Sequence, residues 1–202
     1  MIPRTLHRIW LTGSPPMPEA YECYWEGWQR LHPSWSFETW LSAPTDLRNR
    51  AEFYGTTSLA SRSDILRYEV LLRYGGVYID CDVECLKPID ELLEDVRAFA
   101  GYEDTTWIGT AVLGAEPGHP SFERLVKALP ASVKAHPNAE PTRQTGPQFV
   151  TETWKQATLG GDADGLTLFS PSMFYPYLGW KERDPGPPYP GYAVHRWAGS
   201  WL

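Results

Sequence analysis

The sequence lacks the features that mark membrane, disulfide-bonded and nucleic-acid-binding proteins. No apolar run approaches the about 18 consecutive residues of a membrane-spanning helix. Three cysteines, without zinc-finger spacing, indicate free thiols in a reducing compartment. The 18 Lys and Arg against 25 Asp and Glu give a net charge of −7, which disfavours nucleic acid and anionic bilayers as partners. We therefore expect a cytoplasmic globular protein with no signal peptide, transmembrane segment or nucleic-acid partner.

Proline and tryptophan are the residues in excess, with 19 and 10 copies. Aromatic residues make up 14% of the chain and charged residues only 21%, which argues against disorder. Hydrophobic residues, at 42%, suffice for the core of one domain over residues 1–202. The large aromatic side chains either fill this core or offer flat faces to a sugar or a nucleobase.

Hydrophobic periodicity predicts strands that alternate with helices, and hence an α/β protein with a mainly parallel or mixed sheet. The clearest helix is 60–74, and Gly75-Gly76 ends it. The segment 77–83 follows as a strand. The other predicted strands are 5–11, 36–41, 98–102, 107–113, 166–169 and 192–197. The other predicted helices are 18–31, 45–54, 121–129 and one that begins at residue 147, while 181–191 is predicted to be an irregular loop.

The segment 78–82 (YIDCD) is the most informative about chemistry. In an extended strand, Tyr78, Asp80 and Asp82 share one face, and the residues between them, including Cys81, face the packed side. Two carboxylates at the end of an apolar strand repel each other, and a divalent cation is the simplest compensation. Oxygen ligands favour Mg²⁺ or Mn²⁺ over Zn²⁺. Ligands bind at strand ends in open α/β sheets, so this segment is a candidate metal site.

Asp64 and Arg67 extend the pattern, because they lie three residues apart on one face of the predicted helix 60–74. The tight turn at Gly75-Gly76 is expected to bring this helix close to the Asp pair. Taken alone, Asp64 and Arg67 would form an ordinary surface salt bridge. Taken alone, Asp-x-Asp would mark the solvated end of a strand. The functional interpretation therefore depends on the combination.

Two other functions share parts of this pattern. A phosphohydrolase of the haloacid dehalogenase type also places Asp-x-Asp after an apolar strand, but a Gly-containing turn usually follows, and here Val83-Glu84-Cys85 does. A non-catalytic sugar-binding module would account for the tryptophans. It leaves the four charged residues at positions 64, 67, 80 and 82 without a purpose.

The pattern Ser63-Asp64-x-x-Arg67 followed by Gly75-Gly76-x-Tyr78-x-Asp80-x-Asp82 is far more specific than its parts, and it resembles glycosyltransferase family 32. Further stretches match that family in the same order: IPRTLHRIW at 2–10, AEPGHP at 115–120, TGP at 145–147 and HRWAGSW at 195–201. The sequence departs from the family at Thr110-Ala111, where many members have Asn-Ala. This departure concerns contacts on the acceptor side.

The resemblance implies a GT-A fold, that is, a Rossmann-like mixed central sheet flanked by helices. It also implies metal-dependent, retaining transfer of a sugar from a UDP- or GDP-sugar to a glycan or small-molecule acceptor, as in polysaccharide biosynthesis. The implied cofactor is Mn²⁺ or Mg²⁺, with Asp82 as direct ligand and His195 as a further candidate ligand. Asp80 is expected on the donor ribose or sugar, reaching the metal through water.

The resemblance also implies which residues bind the donor. Trp10 would lie against the nucleobase, Tyr78 would line the same pocket, and Asp64 and Arg67 would hold sugar hydroxyls. Ser200 and Trp201, together with His195, would close over the diphosphate. The implied catalytic residues are Asp80, Asp82 and Arg67, which act by charge and position, since the leaving phosphate can itself accept the proton of the acceptor. Trp180 and Tyr189, which flank the proline-rich loop, are candidates for acceptor contact.

Overall fold

A mixed six-stranded sheet forms the centre of the fold. A computed structural model describes residues 1–159 and 165–199. The strands are β1 (Thr5–Ile9), β2 (Ser36–Trp40), β3 (Gly76–Ile79), β4 (Val83–Cys85), β5 (Ala98–Tyr102), β6 (Ile108–Ala115), β7 (Leu166–Phe169) and β8 (Ala193–His195). The sheet order is β2-β1-β3-β6-β5-β7, with β6 antiparallel to both of its neighbours and the other pairs parallel. Strands β4 and β8 form a separate antiparallel ribbon.

Helices cover both faces of this sheet. They are α1 (Glu19–Leu31), α2 (Arg50–Gly55), α3 (Leu59–Tyr74), α4 (Pro120–Ala135), α5 (Pro141–Gln144) and α6 (Pro147–Leu159). Within residues 1–159 and 165–199, no helix combines the length and the apolar character needed to cross a membrane. The predicted α/β class with a mixed sheet is confirmed.

The sheet separates two hydrophobic cores, and neighbouring residues of β3 point into different ones. Tyr78 packs in the core formed with α3, α4 and α6, whereas Val77 packs in the core that contains the α1 residues Trp25 and Trp28. The connection from β1 to β2, which contains α1, therefore covers one face of the sheet. The connection from β2 to β3, which contains α2 and α3, covers the opposite face. Because β2 and β3 lie on opposite sides of β1, the carboxyl ends of β1 and β3 form a topological switch point, where open α/β sheets have their ligand-binding crevice.

The predicted strand 77–83 is wrong in its second half. Strand β3 ends at Ile79, residues 80–82 form a turn, and β4 leaves the main sheet to pair with β8. The positions of Asp80 and Asp82 therefore come from a turn and not from the alternation of a strand. Cys81 is also not packed inward as predicted, since it is half-buried and its thiol contacts the Ile9 carbonyl oxygen at 3.5 Å.

Other differences concern the ends of elements. Helix α4 continues to Ala135, past the predicted end at 129. Pro130 lies on its exposed face, and the buried Leu125 and Leu129 hold the helix against the core in spite of the proline. Within the predicted helix 45–54, only the part from Arg50 onward is helical. The three cysteines are free thiols, as predicted. The assignment of residues 1–202 to one domain stays a prediction.

Gly75 and Gly76 make the turn that leads from α3 into β3. Both have positive φ angles, 65° and 94°, which are unfavourable for other residues. A Cβ atom on Gly76 would lie 2.6 Å from the Thr5 carbonyl oxygen of β1. The glycines thus let α3 end directly against the strand that leads to the Asp pair.

We expect Gly76→Ala to lower the free energy of unfolding by about 2–4 kcal/mol, since it adds a backbone clash to the unfavourable φ. Gly13→Ala is the matched control, because Gly13 has a φ of 96° with open space around its Cα. It should cost only about 1 kcal/mol. Urea unfolding of both variants provides the measurement, and equal losses would contradict the proposed close approach.

Candidate active site

The candidate active site lies at the crevice between the carboxyl ends of β1 and β3. Trp10 directly follows β1, and Asp80 directly follows β3. The backbone N–H of Asp80 donates to the Ala111 carbonyl oxygen of β6 at 2.8 Å, which fixes the start of the turn. The contact between Cys81 and Ile9 fixes the same turn against β1. The turn at residues 80–82, hereafter the DxD turn, is therefore attached to both neighbouring strands.

Arg67 of α3 is the cation that connects the helix to this turn, and only 3% of its surface is exposed. Its Nη1 atom lies 3.1 Å from Asp80 Oδ1, and its Nη2 atom lies 3.4 Å from Asp64 Oδ1. Nη1 also donates to the Thr110 carbonyl oxygen at 2.7 Å. This last contact uses the backbone, so it does not depend on having Asn at position 110. A buried guanidinium requires such compensation, which makes the arrangement rigid.

Tyr78 supports the same carboxylate from the sheet. Its hydroxyl donates to Asp80 Oδ1 at 2.6 Å, and the Arg67 guanidinium lies 4.5 Å from the centre of its ring. Burial raises the pKa of the Tyr78 hydroxyl well above its usual value, so it stays protonated as a donor. Arg67 and Tyr78 thus both bind the same oxygen of Asp80, Oδ1.

Asp64 is buried beside Thr145, which belongs to the TGP motif. The Thr145 hydroxyl donates to Asp64 Oδ2 at 2.8 Å, and the Thr145 carbonyl oxygen accepts from Tyr68 at 2.6 Å. Burial raises the pKa of Asp64 to about 6, although Arg67 and Thr145 favour its ionised form. The fold thus joins the S-D-x-x-R and T-G-P motifs, which are far apart in the sequence, through a single hydroxyl.

Asp82 meets His195 because β4 and β8 pair with Val83 opposite His195. The Nε2 atom of His195 lies 3.3 Å from Asp82 Oδ1, and the backbone N–H of Ala198 donates to Asp82 Oδ2 at 2.9 Å. Burial alone would raise the pKa of Asp82 and lower that of His195. The attraction between the two outweighs burial, so the pKa of Asp82 falls and that of His195 rises.

Three ligand atoms converge here in a way that fits a divalent cation. Asp80, Asp82 and His195 each offer one such atom, all within 4.8 Å of one another. The Nδ1 atom of His195 is buried and has no hydrogen-bond partner among the described residues. Two carboxylates and one imidazole are a ligand set that suits Mn²⁺, and the carboxylates alone suit Mg²⁺. The residues present therefore fit the predicted metal.

The remaining predicted site residues have mixed outcomes. Trp10 is only 8% exposed, its Nε1 atom donates to the Pro15 carbonyl oxygen at 3.0 Å, and its ring meets Tyr21 edge-on at 5.9 Å. It therefore lies at the crevice mostly buried and not as an open platform. Ser200 and Trp201 lie outside the described residues. The structure thus brings together Asp64, Arg67, Tyr78, Asp80, Asp82 and His195.

Sequence analysis missed Glu103 and Tyr175. Glu103 follows β5 and is buried, and its Cγ atom lies over Gly109, where an added Cβ would come within 2.8 Å of it. Burial raises the pKa of Glu103 to about 7. The Tyr175 hydroxyl accepts from the backbone N–H groups of Ala111 and Val112, both at 3.2 Å. An acidic residue directly after an apolar strand, the signal that revealed Asp80, was equally available for Glu103.

We expect Glu103→Gln to stabilise the metal-free protein more at pH 8 than at pH 4.5. The raised pKa means that the folded state resists ionisation of Glu103, so wild-type stability falls as pH rises from about 4.5 through 7. The variant lacks this loss, which is on the order of 2–3 kcal/mol.

Urea unfolding in EDTA at the two pH values measures the difference. Glu94→Gln is the control, because Glu94 is exposed. A Glu103→Gln difference that stays constant between the two pH values would contradict the prediction.

Comparison with known proteins shows which family this chain resembles. Residues 18–99, which contain Asp64, Arg67, Asp80 and Asp82, match the family described as a glycosyltransferase sugar-binding region containing a DXD motif. The matched region runs from the residue before α1 to the middle of β5. It therefore covers the helix and the turn that build most of the site.

Two similar relatives are yeast proteins. Mannosyl phosphorylinositol ceramide synthase CSH1 of Saccharomyces cerevisiae is 31% identical over 168 residues, which cover 77% of this chain and 43% of the relative. Inositol phosphoceramide mannosyltransferase 3 of Schizosaccharomyces pombe is 29% identical over 228 residues, which cover 98% of this chain and 60% of the relative. The chain thus spans less than two thirds of the length of these relatives.

A solved structure confirms the fold. The PaToxG glycosyltransferase superposes with a TM-score of 0.62 at 15% identity, covering 79% of this chain and 70% of that chain. The predicted GT-A fold is therefore confirmed. The family resemblance is confirmed by the match of residues 18–99, whose DXD motif stands here as Asp80-Cys81-Asp82, and by the yeast relatives.

Proposed function

We propose that this protein is a retaining glycosyltransferase that uses Mn²⁺ or Mg²⁺ to transfer a sugar from a nucleotide-sugar donor to a glycan or small-molecule acceptor. The observation that carries the proposal is the convergence of Asp80, Asp82 and His195 beside the buried Arg67, at the crevice where a GT-A sheet binds ligands. Because the chain spans only part of its relatives, activity, donor and acceptor are all proposals.

In this proposal Asp82 and His195 hold the metal directly, and Asp80 lies beside it. A bound divalent ion would supply the positive charge that neutralises the diphosphate as it leaves. Arg67 and Tyr78 keep Asp80 in place through its Oδ1 atom. Such fixed charges lower the barrier because they need no reorganisation during the reaction.

Asp64 and Arg67 are proposed to receive the donor sugar. A buried carboxyl with a pKa of about 6 can exchange between accepting and donating hydrogen bonds to sugar hydroxyls near neutral pH. Thr145 limits its rotation through Oδ2. Trp10 is proposed to contact the nucleobase with the small part of its ring that remains exposed.

The proposed transfer balances without an additional base. The bond between the anomeric carbon and the diphosphate oxygen breaks, and the acceptor oxygen bonds to the same face of that carbon. The acceptor proton moves to the departing phosphate. The two yeast relatives are named for mannosyl transfer, so GDP-mannose is the first donor to test, followed by UDP-sugars. The anomeric configuration of the product, read by NMR, decides between retention and inversion.

We expect Asp82→Asn to reduce kcat/KM by about 100-fold or more, since it removes the charge that holds the metal and pairs with His195. The same variant should lose the thermal stabilisation that Mn²⁺ gives the wild-type protein. Release of nucleoside diphosphate from a donor panel measures the first effect, and differential scanning fluorimetry measures the second.

Asp46→Asn is the matched control for this prediction. Asp46 is exposed and pairs with Arg73, which lies in the last turn of α3 and not at the DxD turn. Both readouts should therefore stay at wild-type values. If Asp82→Asn does not fold, His195→Gln replaces it with the same expectations. Wild-type turnover by a folded Asp82→Asn protein would overturn the metal assignment, and phosphate release from simple monoesters would favour a phosphohydrolase.

We expect Trp10→Leu to weaken binding of a nucleoside diphosphate by roughly 5-fold, the lower end of the range for a lost aromatic stacking partner, since only a small part of the ring is exposed. Trp35→Leu is the matched control, because Trp35 is equally buried and its indole is hydrogen-bonded to Asp90 away from the crevice. Calorimetric titration with GDP and UDP in the presence of Mn²⁺ measures both. Equal affinities in the two variants would remove Trp10 from the donor site.

A further inference from the structure

A row of aromatic rings leads from the candidate metal site to the protein surface. The Trp197 ring lies 4.0 Å from the His195 ring, measured between centres, and Trp180 meets Trp197 at 4.4 Å with perpendicular planes. His195 is buried, whereas Trp180 is 53% exposed. About half of the Trp180 surface therefore stays open to a ligand beside its contact with Trp197.

The fold holds this row in place. Trp197 has a φ of 54°, which is uncommon for a residue other than glycine. Its Nε1 atom donates to the Tyr177 carbonyl oxygen at 2.8 Å. Gly179 makes room for it, because a Cβ there would lie 2.4 Å from the Trp197 Cβ. A ring that is hydrogen-bonded, closely packed and held by an unfavourable backbone conformation is a rigid support for Trp180.

Charged and polar side chains lie on the same chain segments as the two tryptophans. Lys181 lies 3.4 Å from Asp104, which connects this segment to the β5–β6 hairpin. Arg196, next to His195, donates to Asp184 at 2.8 Å and to the Tyr189 hydroxyl at 2.9 Å. An exposed aromatic ring on a segment that also carries ionic and hydroxyl groups suits a sugar ring, which has an apolar C–H face and polar edges. A lipid surface or an apolar protein partner would require a wider apolar patch.

The row also lies on a different side of the DxD turn from Trp10. Cys81 contacts the strand that leads to Trp10, whereas Asp82 contacts His195 and the backbone of Ala198. Since the nucleotide is proposed to bind on the Trp10 side, the aromatic row is left for the other substrate.

We propose that Trp180 is an acceptor subsite, on which a pyranose ring of a glycan acceptor stacks one sugar or more away from the reacting hydroxyl. The inference rests on the proposed transferase function and deepens it by naming a carbohydrate as the acceptor class. Tyr189, the other candidate for acceptor contact from the sequence, accepts from Arg196 and donates to Asp184. These bonds hold the loop, and its contact with an acceptor stays a prediction.

The kinetic test uses Trp180→Ala and Trp180→Phe in the full chain with an active donor. Trp180→Ala should raise the KM for a glycan acceptor roughly 5- to 100-fold and leave the donor KM unchanged, while Trp180→Phe restores most of the affinity. Tyr54→Ala is the control, because Tyr54 is 54% exposed on α2. An unchanged acceptor KM in Trp180→Ala, or a change in the donor KM instead, would overturn the proposal.

A binding test separates this proposal from the transferase activity. The protein is labelled with 5-fluorotryptophan, the Trp180 signal is assigned by its loss in Trp180→Phe, and lactose and methyl α-mannoside are titrated while fluorine NMR is recorded. A saturable shift of the Trp180 signal supports the subsite even if no donor is turned over. No shift with either sugar, or a shift with phosphatidylcholine vesicles alone, would overturn it.

Discussion

The buried Arg67 guanidinium is the interaction on which the rest of the site depends. A cation with 3% of its surface exposed is tolerable only if carboxylates and carbonyl oxygens surround it, and Asp64, Asp80 and the Thr110 carbonyl oxygen do so. These partners come from α3, the DxD turn and β6. The single charge therefore fixes a helix, a turn and a strand relative to one another, and Asp80 has its orientation before any ligand binds.

The DxD turn divides the site into two sides. On one side the turn contacts β1 through Cys81 and Ile9, and on the other it contacts β8 through Asp82 and His195. The proposed transfer requires two substrates with their reacting atoms in contact, and a rigid turn between the two proposed binding regions meets this requirement. The departure of β4 from the main sheet creates the second side, because it carries the chain to β8 and its aromatic row.

The acidic groups of the site do not behave alike. Burial raises the pKa of Asp64 to about 6 and that of Glu103 to about 7, whereas the pKa of Asp82 is lowered by His195. Near neutral pH the site thus combines carboxyl groups that readily take up protons with one that stays ionised beside an imidazole. The environment of each carboxyl decides which role it can take, since their intrinsic chemistry is the same.

The sequence alone was sufficient for the local part of this site. Periodicity located α3, the double glycine predicted its end, and the motif spacing placed Asp64 and Arg67 near Asp80. The strand pattern also predicted correctly that Tyr78 and Val77 lie on opposite sides of the sheet, but not that the Tyr78 side is packed as well. Tertiary structure alone decided that β3 stops at Ile79, that β4 pairs with β8, and that Glu103 is buried. The reason is physical: three residues such as Val83–Cys85 have the same pattern whether they continue a strand or pair with another. That choice depends on contacts with residues more than a hundred positions away.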